Sequence, residues 1–330
     1  MDKAKGMKII AIQGDSLKSL NLKSDSSLYM SWMMQCRGYQ IFWYEPENLY
    51  YSNGQILAIG NYISVEFDQH NVESGLQYTI LSSNSKLDLA NVNCIMIRQD
   101  PPINMHYIAS SHLLSILSSI NPKIFFINHP DTVINYGEKF LPLIVCPDRI
   151  PKTIISSNVN DIDDFLKLYK KCVIKPIYGY GGNDILMIEN GEINKIKLAL
   201  QKADCMQVIV QEFLPEIYQG DKRIIVYDGR ILGALGRLPK AGSFLTNTIA
   251  GGIVKPVLLS NDEKLLSIKV AKKLQTLGIF LAGIDMIGSY ITEINITSPG
   301  LLTAIHKIYG DGIIKAFFDI IDEKSTKNWS

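Results

Sequence analysis

The stretch GIDMIGSYITEIN, residues 283–295, carries polar side chains where a buried strand is normally apolar. Two apolar runs flank a glycine-containing turn near residues 288–290, which predicts an antiparallel pair of strands. In that register Asp285 lies opposite Glu293. Asn295 is two residues beyond Glu293 and therefore points to the same face of the sheet. The stretch thus predicts two carboxylates and one amide gathered on one hairpin.

These opposed carboxylates indicate a cation site. Two acids directly across a pair of apolar strands repel each other, and they cannot both stay charged in a low-dielectric site without a partner. A divalent cation resolves the conflict. Two carboxylates and an amide carbonyl suit Mg²⁺, which keeps water and substrate phosphates as its other ligands. The alternative is a shifted register that leaves the same side chains on a hydrated face, and spacing alone does not decide between the two.

A glycine-rich segment, KPIYGYGGND at residues 175–184, predicts a second part of the same site. Lys175 ends a strand pattern, and Gly179, Gly181 and Gly182 let backbone N–H groups approach an anion closely. The segment is not a Walker A loop, because the lysine precedes the glycines and no Gly-Lys-Ser/Thr follows. Taken alone, a plain glycine-rich hairpin loop is the commoner explanation.

Two shorter segments add candidates of the same kind. Lys139 in GEKFLP (residues 137–142) is a second candidate phosphate contact, and the alternative is an ordinary surface lysine. VQEFLP (residues 210–215) is an apolar segment whose backbone groups suit a flat ring, and the alternative is a core strand that ends at Pro215. Each segment is weak alone, and their order along the chain carries the argument.

Composition narrows the class of protein. The chain has 330 residues, of which 47% are hydrophobic and 20% charged, as expected for a soluble globular protein of two or three domains. A net charge of +1 does not indicate the basic surface that binding to nucleic acid or an anionic membrane needs. Five scattered cysteines without a C-x-x-C spacing fit a reducing cytoplasm and argue against disulfides or zinc. Residues 1–6 resemble no secretory signal and leave Met1 or Met7 as the start.

Strand and helix patterns alternate along the first 130 residues, which predicts βαβ units on a mostly parallel sheet. The predicted strands are residues 7–13, 39–44, 93–98 and 123–128, and the predicted helices are residues 26–36 and 112–120. Further on, we predict helices at 161–171, 192–203 and 261–277, strands at 172–175 and 185–189, and a hairpin turn at Asp228-Gly229. These patterns predict three domains: 1–130, 131–206 and 207–330.

The order of these segments resembles the ATP-grasp superfamily and, within it, the bacterial glutathione synthetases. The similarity covers nearly the whole chain, and EINITSP (residues 293–299) is its most specific match. KSDSSLYM (23–30), RGYQIFWYE (37–45) and IMIRQDPP (95–102) also match. The resemblance implies an α/β ATP-grasp fold with an α+β lid subdomain at 131–206, a catalytic subdomain at 207–330 and an N-terminal Rossmann-like pre-ATP-grasp domain at 1–130.

The same resemblance implies roles for individual residues. It implies ATP contacts at Lys139, Lys175, Gly179, Gly181, Gly182, Gln211, Glu212, Phe213, Leu214 and Asp221, where the lysines face phosphates, residues 212–214 the adenine and Asp221 the ribose. Metal ligands would be Asp285, Glu293 and Asn295, holding Mg²⁺ with Mn²⁺ as an alternative. Arg223 and Arg237 would be the active-site arginines. Substrate contacts would be Asp25, Ser26, Arg98, Asn247, Gly251 and Gly252. A cytoplasmic homo-oligomer, dimer or tetramer, is also implied.

The implied reaction is the synthesis of glutathione. A γ-glutamylcysteine carboxylate attacks the γ-phosphate of ATP, and the glycine amine then displaces phosphate from the acyl phosphate. Such an intermediate needs protection from water, and RLPKAGSFLTNTIAGG (residues 237–252) lies where the family carries a lid over residues 238–252. Asn247 is the most plausible polar contact left inside that lid.

Four positions depart from the family pattern on the side expected to hold the acceptor. The lid has Leu245 and Ile253 where the family typically has arginines, and Thr303 and Ala304 replace a polar or basic residue and an acid. Two further hypotheses therefore stay open. One is a carboxylate–amine ligase with another acceptor, and the other is a weakly active nucleotide-binding homologue with a regulatory role.

Overall fold

The structure is a computed structural model that describes residues 8–68, 74–182, 184–247 and 251–327. Two sequence predictions reach outside this range: the choice of Met1 or Met7 as the start, and residues 248–250 of the predicted lid. Helices pack on three β-sheets, which confirms the predicted mixed α/β class. No helix in the described part of the chain is both long and apolar enough to cross a bilayer.

The N-terminal sheet is built on four parallel strands that the sequence predicts. Its strands are β1 (Ile9–Gln13), β2 (Gln40–Tyr44), β3 (Leu49–Ser52), β4 (Gln55–Phe67), β5 (Leu76–Asp88), β6 (Cys94–Ile97) and β7 (Phe125–Ile127). The order across the sheet is β3-β4-β2-β1-β6-β7, with β5 paired to β4. β1, β2, β6 and β7 run parallel to one another, as predicted.

Three strands of this sheet were missing from the sequence prediction. β3, β4 and β5 form an antiparallel meander that joins the parallel strands through β4 and β2. Asn53 and Gly54 connect β3 to β4 with φ of 50° and 87°, as a two-residue hairpin turn requires. An Asn-Gly pair between two apolar runs is the signal that identifies this hairpin from the sequence. β5 is an exposed sheet edge, where Leu81 is 66% exposed.

Helices α1 (Ser26–Gln35), α2 (Met105–Ile120) and α3 (Pro130–Asn135) pack near this sheet, and α4 (Leu141–Val145) follows along the chain. α1 and α2 correspond to the predicted helices. α2 begins earlier than predicted because Asn104 caps it, with its side-chain oxygen accepting from Tyr107 N at 3.0 Å. Short 3-10 helices occur at Leu17–Ser19, Pro46–Asn48, Leu89–Asn91, Pro147–Arg149 and Pro215–Gln219.

The central sheet is antiparallel and carries two helices. Its strands are β8 (Thr153–Ser156), β9 (Lys171–Pro176), β10 (Leu186–Glu189) and β11 (Val208–Glu212), in the order β10-β9-β11-β8, and its helices are α5 (Val159–Tyr169) and α6 (Ile193–Lys202). β8 was not predicted. β11 pairs with β9 and β8, although it lies beyond the predicted boundary at residues 206/207. The three-domain division stays a prediction.

The C-terminal sheet contains the hairpin predicted from residues 283–295. Its strands are β12 (Asp221–Tyr227), β13 (Arg230–Leu238), β14 (Ile253–Pro256), β15 (Leu281–Ile287) and β16 (Tyr290–Asn295), in the order β14-β13-β12-β15-β16. The predicted turn at Asp228-Gly229 joins β12 to β13. Asp285 pairs directly with Glu293 between β15 and β16, which confirms the predicted register.

The helices after residue 260 connect the two ends of the chain. α7 (Asn261–Thr276) begins with a capping box formed by Ser260 and Glu263, while α8 (Leu302–Tyr309) and α9 (Asp311–Lys327) were not predicted. Phe317 of α9 belongs to the same buried cluster as Tyr29 of α1. One hydrophobic core therefore spans the N-terminal and C-terminal sheets.

Asn128, at the end of β7, joins these two sheets through its side chain. The amide nitrogen donates to Leu281 O and Ile296 O at 2.7 Å each, and the amide oxygen accepts from Phe280 N and Leu281 N at 2.8 Å each. Asn128 is only 2% exposed, so water cannot replace these bonds. A single amide thus fixes the N-terminal sheet against the start of β15.

We expect Asn128→Ala to lower the free energy of unfolding by at least about 3 kcal/mol, because it removes four bonds and leaves buried backbone groups unsatisfied. Urea denaturation followed by fluorescence measures this. Asn160→Ala, at an exposed helix position, is the control and should stay within about 0.5 kcal/mol of the parent protein. Equal stability of the two variants would contradict the assigned role.

Candidate active site

A cavity of about 960 Å³ is lined by residues from all three sheets. It gathers segments that lie up to hundreds of residues apart in the sequence. Nearly all the predicted site residues line it: Asp25, Ser26, Arg98, Lys139, Lys175, Gly179, Gly181, Gly182, Gln211, Glu212, Phe213, Leu214, Asp221, Arg223, Arg237, Asn247, Asp285, Glu293 and Asn295. Gly251 and Gly252 are not among the lining residues. They precede β14, at the far end of the predicted lid.

Asp285 is clamped by two guanidinium groups. Arg223 donates to both of its carboxylate oxygens, through Nε and through Nη2, the latter at 2.7 Å. Arg237 Nη2 lies 3.0 Å from Asp285 Oδ1. Burial alone would raise the pKa of Asp285, but the two arginines outweigh it and hold that pKa at about 2. The carboxylate is therefore ionised and fixed in orientation.

Arg237 extends this ion network to Asp221 and the predicted lid. Its Nε donates to Asp221 Oδ1 at 2.8 Å, and its Nη2 lies 2.5 Å from Asp221 Oδ2. The Thr246 hydroxyl, in the connection between β13 and β14, donates to Asp221 Oδ2 at 2.7 Å. Burial opposes the charge of Arg237, but Asp285 and Asp221 raise its pKa above the ordinary value. The lid is thus hydrogen-bonded to a buried ion pair.

The two predicted phosphate lysines occupy neighbouring places. Lys139 donates to Gly179 O in the glycine-rich loop, and its Nζ lies 3.3 Å from Glu293 Oε1. Lys175 donates to Gln211 Oε1 at 2.8 Å across the β9–β11 pair. Burial lowers the pKa of Lys175, and no described carboxylate forms an ion pair with it. A phosphate group would supply the counter-charge that Lys175 lacks.

The glycines between β9 and β10 are required for two reasons: their backbone conformation and the close approach of lid side chains. Gly181 and Gly182 have φ of 64° and 79°, a region that L residues rarely adopt. A Cβ on Gly182 would overlap the side-chain nitrogen of Asn247 in the lid, and Leu245 lies against the same glycine. The glycine-rich loop and the lid therefore meet over the cavity.

The predicted ring-binding segment forms the end of β11. Glu212 accepts a hydrogen bond from Lys152 N at 2.8 Å, which fixes the strand end to the segment before β8. The Phe213 ring is 6.4 Å from the ring of Phe244 in the lid, and both residues line the cavity. An aromatic contact therefore closes this end of the cavity.

The β15–β16 hairpin supplies a donor set that fits a hard divalent cation. Asn295 Nδ2 donates to Asp285 Oδ2 and to Gly283 O, each at 3.3 Å. The amide carbonyl oxygen of Asn295 takes part in neither bond and stays available as an acceptor. Glu293 contributes a second carboxylate. Among the described residues, no three or more His, Cys, Asp or Glu side chains are grouped so that they could hold a metal ion by themselves. The set is therefore two carboxylates and an amide, which suits Mg²⁺ and not a soft metal.

Glu138 is a partly buried residue of this site that the sequence prediction missed. Its Oε1 accepts from Ile296 N at 2.7 Å and from both the N and the hydroxyl of Thr297 at 2.9 Å. Burial and the nearby Glu293 raise its pKa. Glu138 thereby fixes the chain just after β16. Its place next to Lys139 carried no signal, because the contact forms only in the folded chain.

The predicted substrate residues lie where the N-terminal domain meets α8. Asp25 caps α1 by accepting from Leu28 N at 2.7 Å, and the Ser26 hydroxyl accepts from Leu302 N at 3.1 Å. Arg98 follows β6 and is 5% exposed. Thr303 and Ala304 line the same part of the cavity. This end therefore has fewer cations than the nucleotide end.

The lid departs from the expected pattern in two different ways. Leu245 lines the cavity between Phe244 and Thr246, so the replaced arginine position does face the site. Ile253 does not line the cavity and is 59% exposed at the start of β14. Only the first of these two changes therefore alters the described cavity wall.

Comparison with known proteins gives one family over almost the whole chain. Residues 7–133 match the family described as prokaryotic glutathione synthetase, N-terminal domain, and residues 138–310 match its ATP-grasp domain. The glutathione synthetase of Agrobacterium fabrum is 34% identical over 320 residues, covering 96% of this chain and 97% of that protein. The Buchnera aphidicola enzyme of the same name is 32% identical, covering 95% of both chains.

Solved structures of ATP-grasp enzymes share the fold at low identity. A D-cycloserine synthetase, DcsG, has a TM-score of 0.65 at 14% identity and covers 96% of this chain and 99% of its own. D-alanyl-alanine synthetase A of Vibrio cholerae has a TM-score of 0.64 at 12% identity, covering 98% of both chains. These similarities establish the ATP-grasp fold of this chain, as the sequence predicts.

We expect Thr246→Val to loosen the lid, because valine keeps the shape of threonine but cannot donate to Asp221. A charge-assisted bond is worth about 1.5–3 kcal/mol, so amide exchange across residues 239–247 should accelerate at least about tenfold. Hydrogen exchange with mass spectrometry measures this. Thr246→Ser retains the donor and should exchange like the parent protein. Identical protection in the valine variant would contradict the contact.

Proposed function

Because the chain belongs to the prokaryotic glutathione synthetase family, we propose that it joins γ-glutamylcysteine to glycine at the expense of ATP. The chain is an ATP-dependent carboxylate–amine ligase that uses a divalent metal ion. The observation that carries the specific proposal is the Asp285–Glu293 pair, with Lys139 between Glu293 and the glycine-rich loop. In this arrangement the proposed cation ligands and the proposed phosphate contacts would share one cavity.

ATP would lie between the central and C-terminal sheets. Lys139 and Lys175 would contact its phosphates together with the backbone of Gly179, Gly181 and Gly182. Gln211, Glu212, Phe213 and Leu214 would receive the adenine, with Asp221 near the ribose. Lys175 is partly buried and forms no ion pair with a described carboxylate, which supports the phosphate role. Asp221 would keep its bonds to Arg237 and reach the sugar from the same side of the cavity.

Asp285, Glu293 and Asn295 would hold Mg²⁺, or Mn²⁺ in its place. The metal would neutralise phosphate charge and orient the phosphoryl group. Both Asp285 oxygens accept hydrogen bonds from Arg223, so metal binding at this carboxylate would require it to exchange at least one of those bonds. Glu293, which now contacts Lys139, would serve as the second carboxylate ligand, and Lys139 would then be free to contact phosphate. Hard oxygen donors at this hairpin support the choice of Mg²⁺.

The reaction would proceed in two displacements. The cysteine carboxylate of γ-glutamylcysteine attacks the γ-phosphorus and releases ADP. The amine of glycine then attacks the acyl carbon, and the C–O bond to phosphate breaks. Phosphate departs as the leaving group, and the amine loses one proton. Arg223 and Arg237 lie beside the metal carboxylate and would stabilise charge on the transferred phosphoryl group. The lid would exclude water from the acyl phosphate.

The acceptor end supports a second candidate. Asp25, Ser26, Arg98 and Asn247 would contact the substrates, with Gly251 and Gly252 as the hinge of the lid. Leu245, Thr303 and Ala304 line the cavity without a charge, so a carboxylate on the acceptor amine would find fewer partners there. This observation favours an acceptor other than glycine as the alternative function.

We also propose a cytoplasmic homo-oligomer, a dimer or tetramer, with small molecules and no nucleic acid as its ligands. The five cysteines are all free, and three of them are buried, which fits a reducing compartment. The exposed edge strand β5 offers unpaired backbone groups to a second copy of the chain. Sedimentation velocity distinguishes monomer, dimer and tetramer.

Phosphate release measured with γ-glutamylcysteine, glycine and magnesium ATP tests the proposal. We expect turnover by the parent protein and a loss of at least about 100-fold in Glu293→Gln, since a carboxylate ligand becomes a neutral amide. Glu323→Gln, at an exposed position on α9, is the matched control and should retain full activity.

A panel of other amines separates the alternatives. Turnover only with an amine other than glycine would favour the second function. Binding of magnesium ATP without phosphate release for any carboxylate–amine pair would favour a regulatory homologue. Substantial turnover by Glu293→Gln would contradict the metal assignment.

A further inference from the structure

His306, on α8, connects three helices through the two nitrogens of its ring. Its Nδ1 lies 2.6 Å from the hydroxyl oxygen of Tyr29 on α1, and its Nε2 lies 2.8 Å from Asp311 Oδ1 at the start of α9. Tyr29 is fully buried and His306 is only 7% exposed, so water cannot readily replace the bond between them. None of these three residues has a part in the proposed reaction as described above.

The chemistry of the three groups sets the direction of both bonds. A carboxylate oxygen only accepts, so Nε2 of His306 donates to Asp311. In the neutral ring, Nδ1 then accepts from the Tyr29 hydroxyl. Burial raises the pKa of Tyr29, so this hydroxyl keeps the proton that it donates. The chain of bonds therefore runs from α1 through the imidazole of α8 to α9.

Aromatic neighbours favour this orientation of the imidazole. The centre of the His306 ring lies 5.5 Å from the centre of the Tyr29 ring and 5.8 Å from that of Phe67. Turning the imidazole would disturb these contacts as well as the two hydrogen bonds. Packing and hydrogen bonding thus support the same position of the side chain.

The short helix α8 depends on its neighbours for its position. It has eight residues, Leu302–Tyr309, and a helix of that length is marginal by itself. No side chain caps its first turn, and Leu301 and Gly310 at its two ends both have φ of 74°. Side-chain bonds of His306 and of Tyr309, whose hydroxyl donates to Ala234 O at 2.7 Å, therefore determine where α8 lies.

The contact between α1 and α8 extends from His306 to the cavity. Leu302 N donates to the Ser26 hydroxyl at 3.1 Å. Tyr29 lies three residues after Ser26 on α1, and His306 lies four residues after Leu302 on α8. The second pair is therefore about one helical turn beyond the first. Together the two pairs form one line of contact, the α1–α8 seam.

This seam determines the position of part of the cavity wall. Thr303 and Ala304, in the first turn of α8, line the cavity, whereas Tyr29 and His306 are not among its lining residues. α1 is longer than α8 and is capped by Asp25, so α8 is the helix that would shift if the seam opened. A shift of α8 would move the wall on the side expected to hold the acceptor.

We propose that His306 is a positioning residue for the acceptor amine, because its bond to Tyr29 holds α8 where Thr303 and Ala304 shape the cavity. This inference rests on the proposed function and adds to it a residue that lies outside the cavity. His306 contacts no substrate and acts through α8. Small displacements matter at this place because the amine must meet the acyl carbon at a defined distance and angle.

Three variants test the bond while keeping the packing. Tyr29→Phe removes the donor, His306→Phe removes both ring nitrogens, and His306→Asn keeps an acceptor near the position of Nδ1. We expect the two phenylalanine variants to raise the KM for glycine at least about fivefold and to leave the KM for ATP within about twofold. His306→Asn should recover most of this loss. If the parent protein prefers another amine, that amine replaces glycine in the assay.

Tyr39→Phe is the matched control. Tyr39 is also buried, and its hydroxyl donates to Asp322 Oδ1 at 2.7 Å, but this bond joins the segment before β2 to α9 and does not involve α8. The control should therefore keep both KM values. A general loss of structure would lower the active fraction, and hence kcat, without a selective rise in one KM.

Hydrogen exchange gives a second measurement that needs no turnover. Amide exchange across residues 302–309 should accelerate at least about fivefold in Tyr29→Phe and His306→Phe, because the seam is opened. It should recover in His306→Asn and stay unchanged in Tyr39→Phe.

The outcomes separate this inference from the proposed function. Equal rises in the KM for glycine and the KM for ATP, or a selective rise in the control as well, would overturn the positioning role alone. If the parent protein releases no phosphate with any carboxylate–amine pair, the ligase assignment fails and the exchange pattern decides about the seam. Unchanged exchange of α8 would then overturn the inference too, whereas the expected pattern would support it.

Discussion

The Asp285 carboxylate, clamped by Arg223 and Arg237, is the interaction on which the remainder of the site depends. Three ionised groups are buried together, and their mutual attraction must offset the loss of hydration. The geometry makes this feasible. Arg223 donates to both carboxylate oxygens of Asp285, and Arg237 also donates to Asp221. A polar cluster of this kind gives little net stability, but it admits one arrangement of β12, β13 and β15. The orientation of the catalytic strands is therefore set before any ligand arrives.

Two side chains transmit that orientation to the other sheets. Asn128 hydrogen-bonds the start of β15 from the N-terminal domain, and Glu138 holds the chain that leaves β16. Neither belongs to the nucleotide or metal sets. Asn128 is buried and Glu138 is partly buried, and each uses several backbone groups at once, which explains why one amide and one carboxylate suffice. The cavity is thus framed by hydrogen bonds from segments that are distant in sequence.

Local patterns were sufficient to predict part of this site. The Asp285–Glu293 register followed from a turn and two apolar runs, because both residues lie in one hairpin. The Asn53-Gly54 turn carries an equally local signal for the hairpin of β3 and β4. Glu138 and Thr246 could not be predicted in this way. Their partners lie 159 and 25 residues away, and those contacts depend on how whole sheets pack. Family resemblance supplied the candidate roles, but not these contacts.

The lid has a consequence for how the protein responds to salt. The described lid residues that line the cavity, 244–247, carry no formal charge, and their contacts with the body include the Phe244–Phe213 rings, the Thr246 hydroxyl and the approach of Leu245 and Asn247 to Gly182. At 0.1 M, dissolved ions screen interactions between exposed charges more than about 10 Å apart, but they act weakly on apolar contacts and on a buried hydrogen bond. Closure of this lid is therefore largely independent of ionic strength, whereas an arginine-bearing lid would loosen as salt rises.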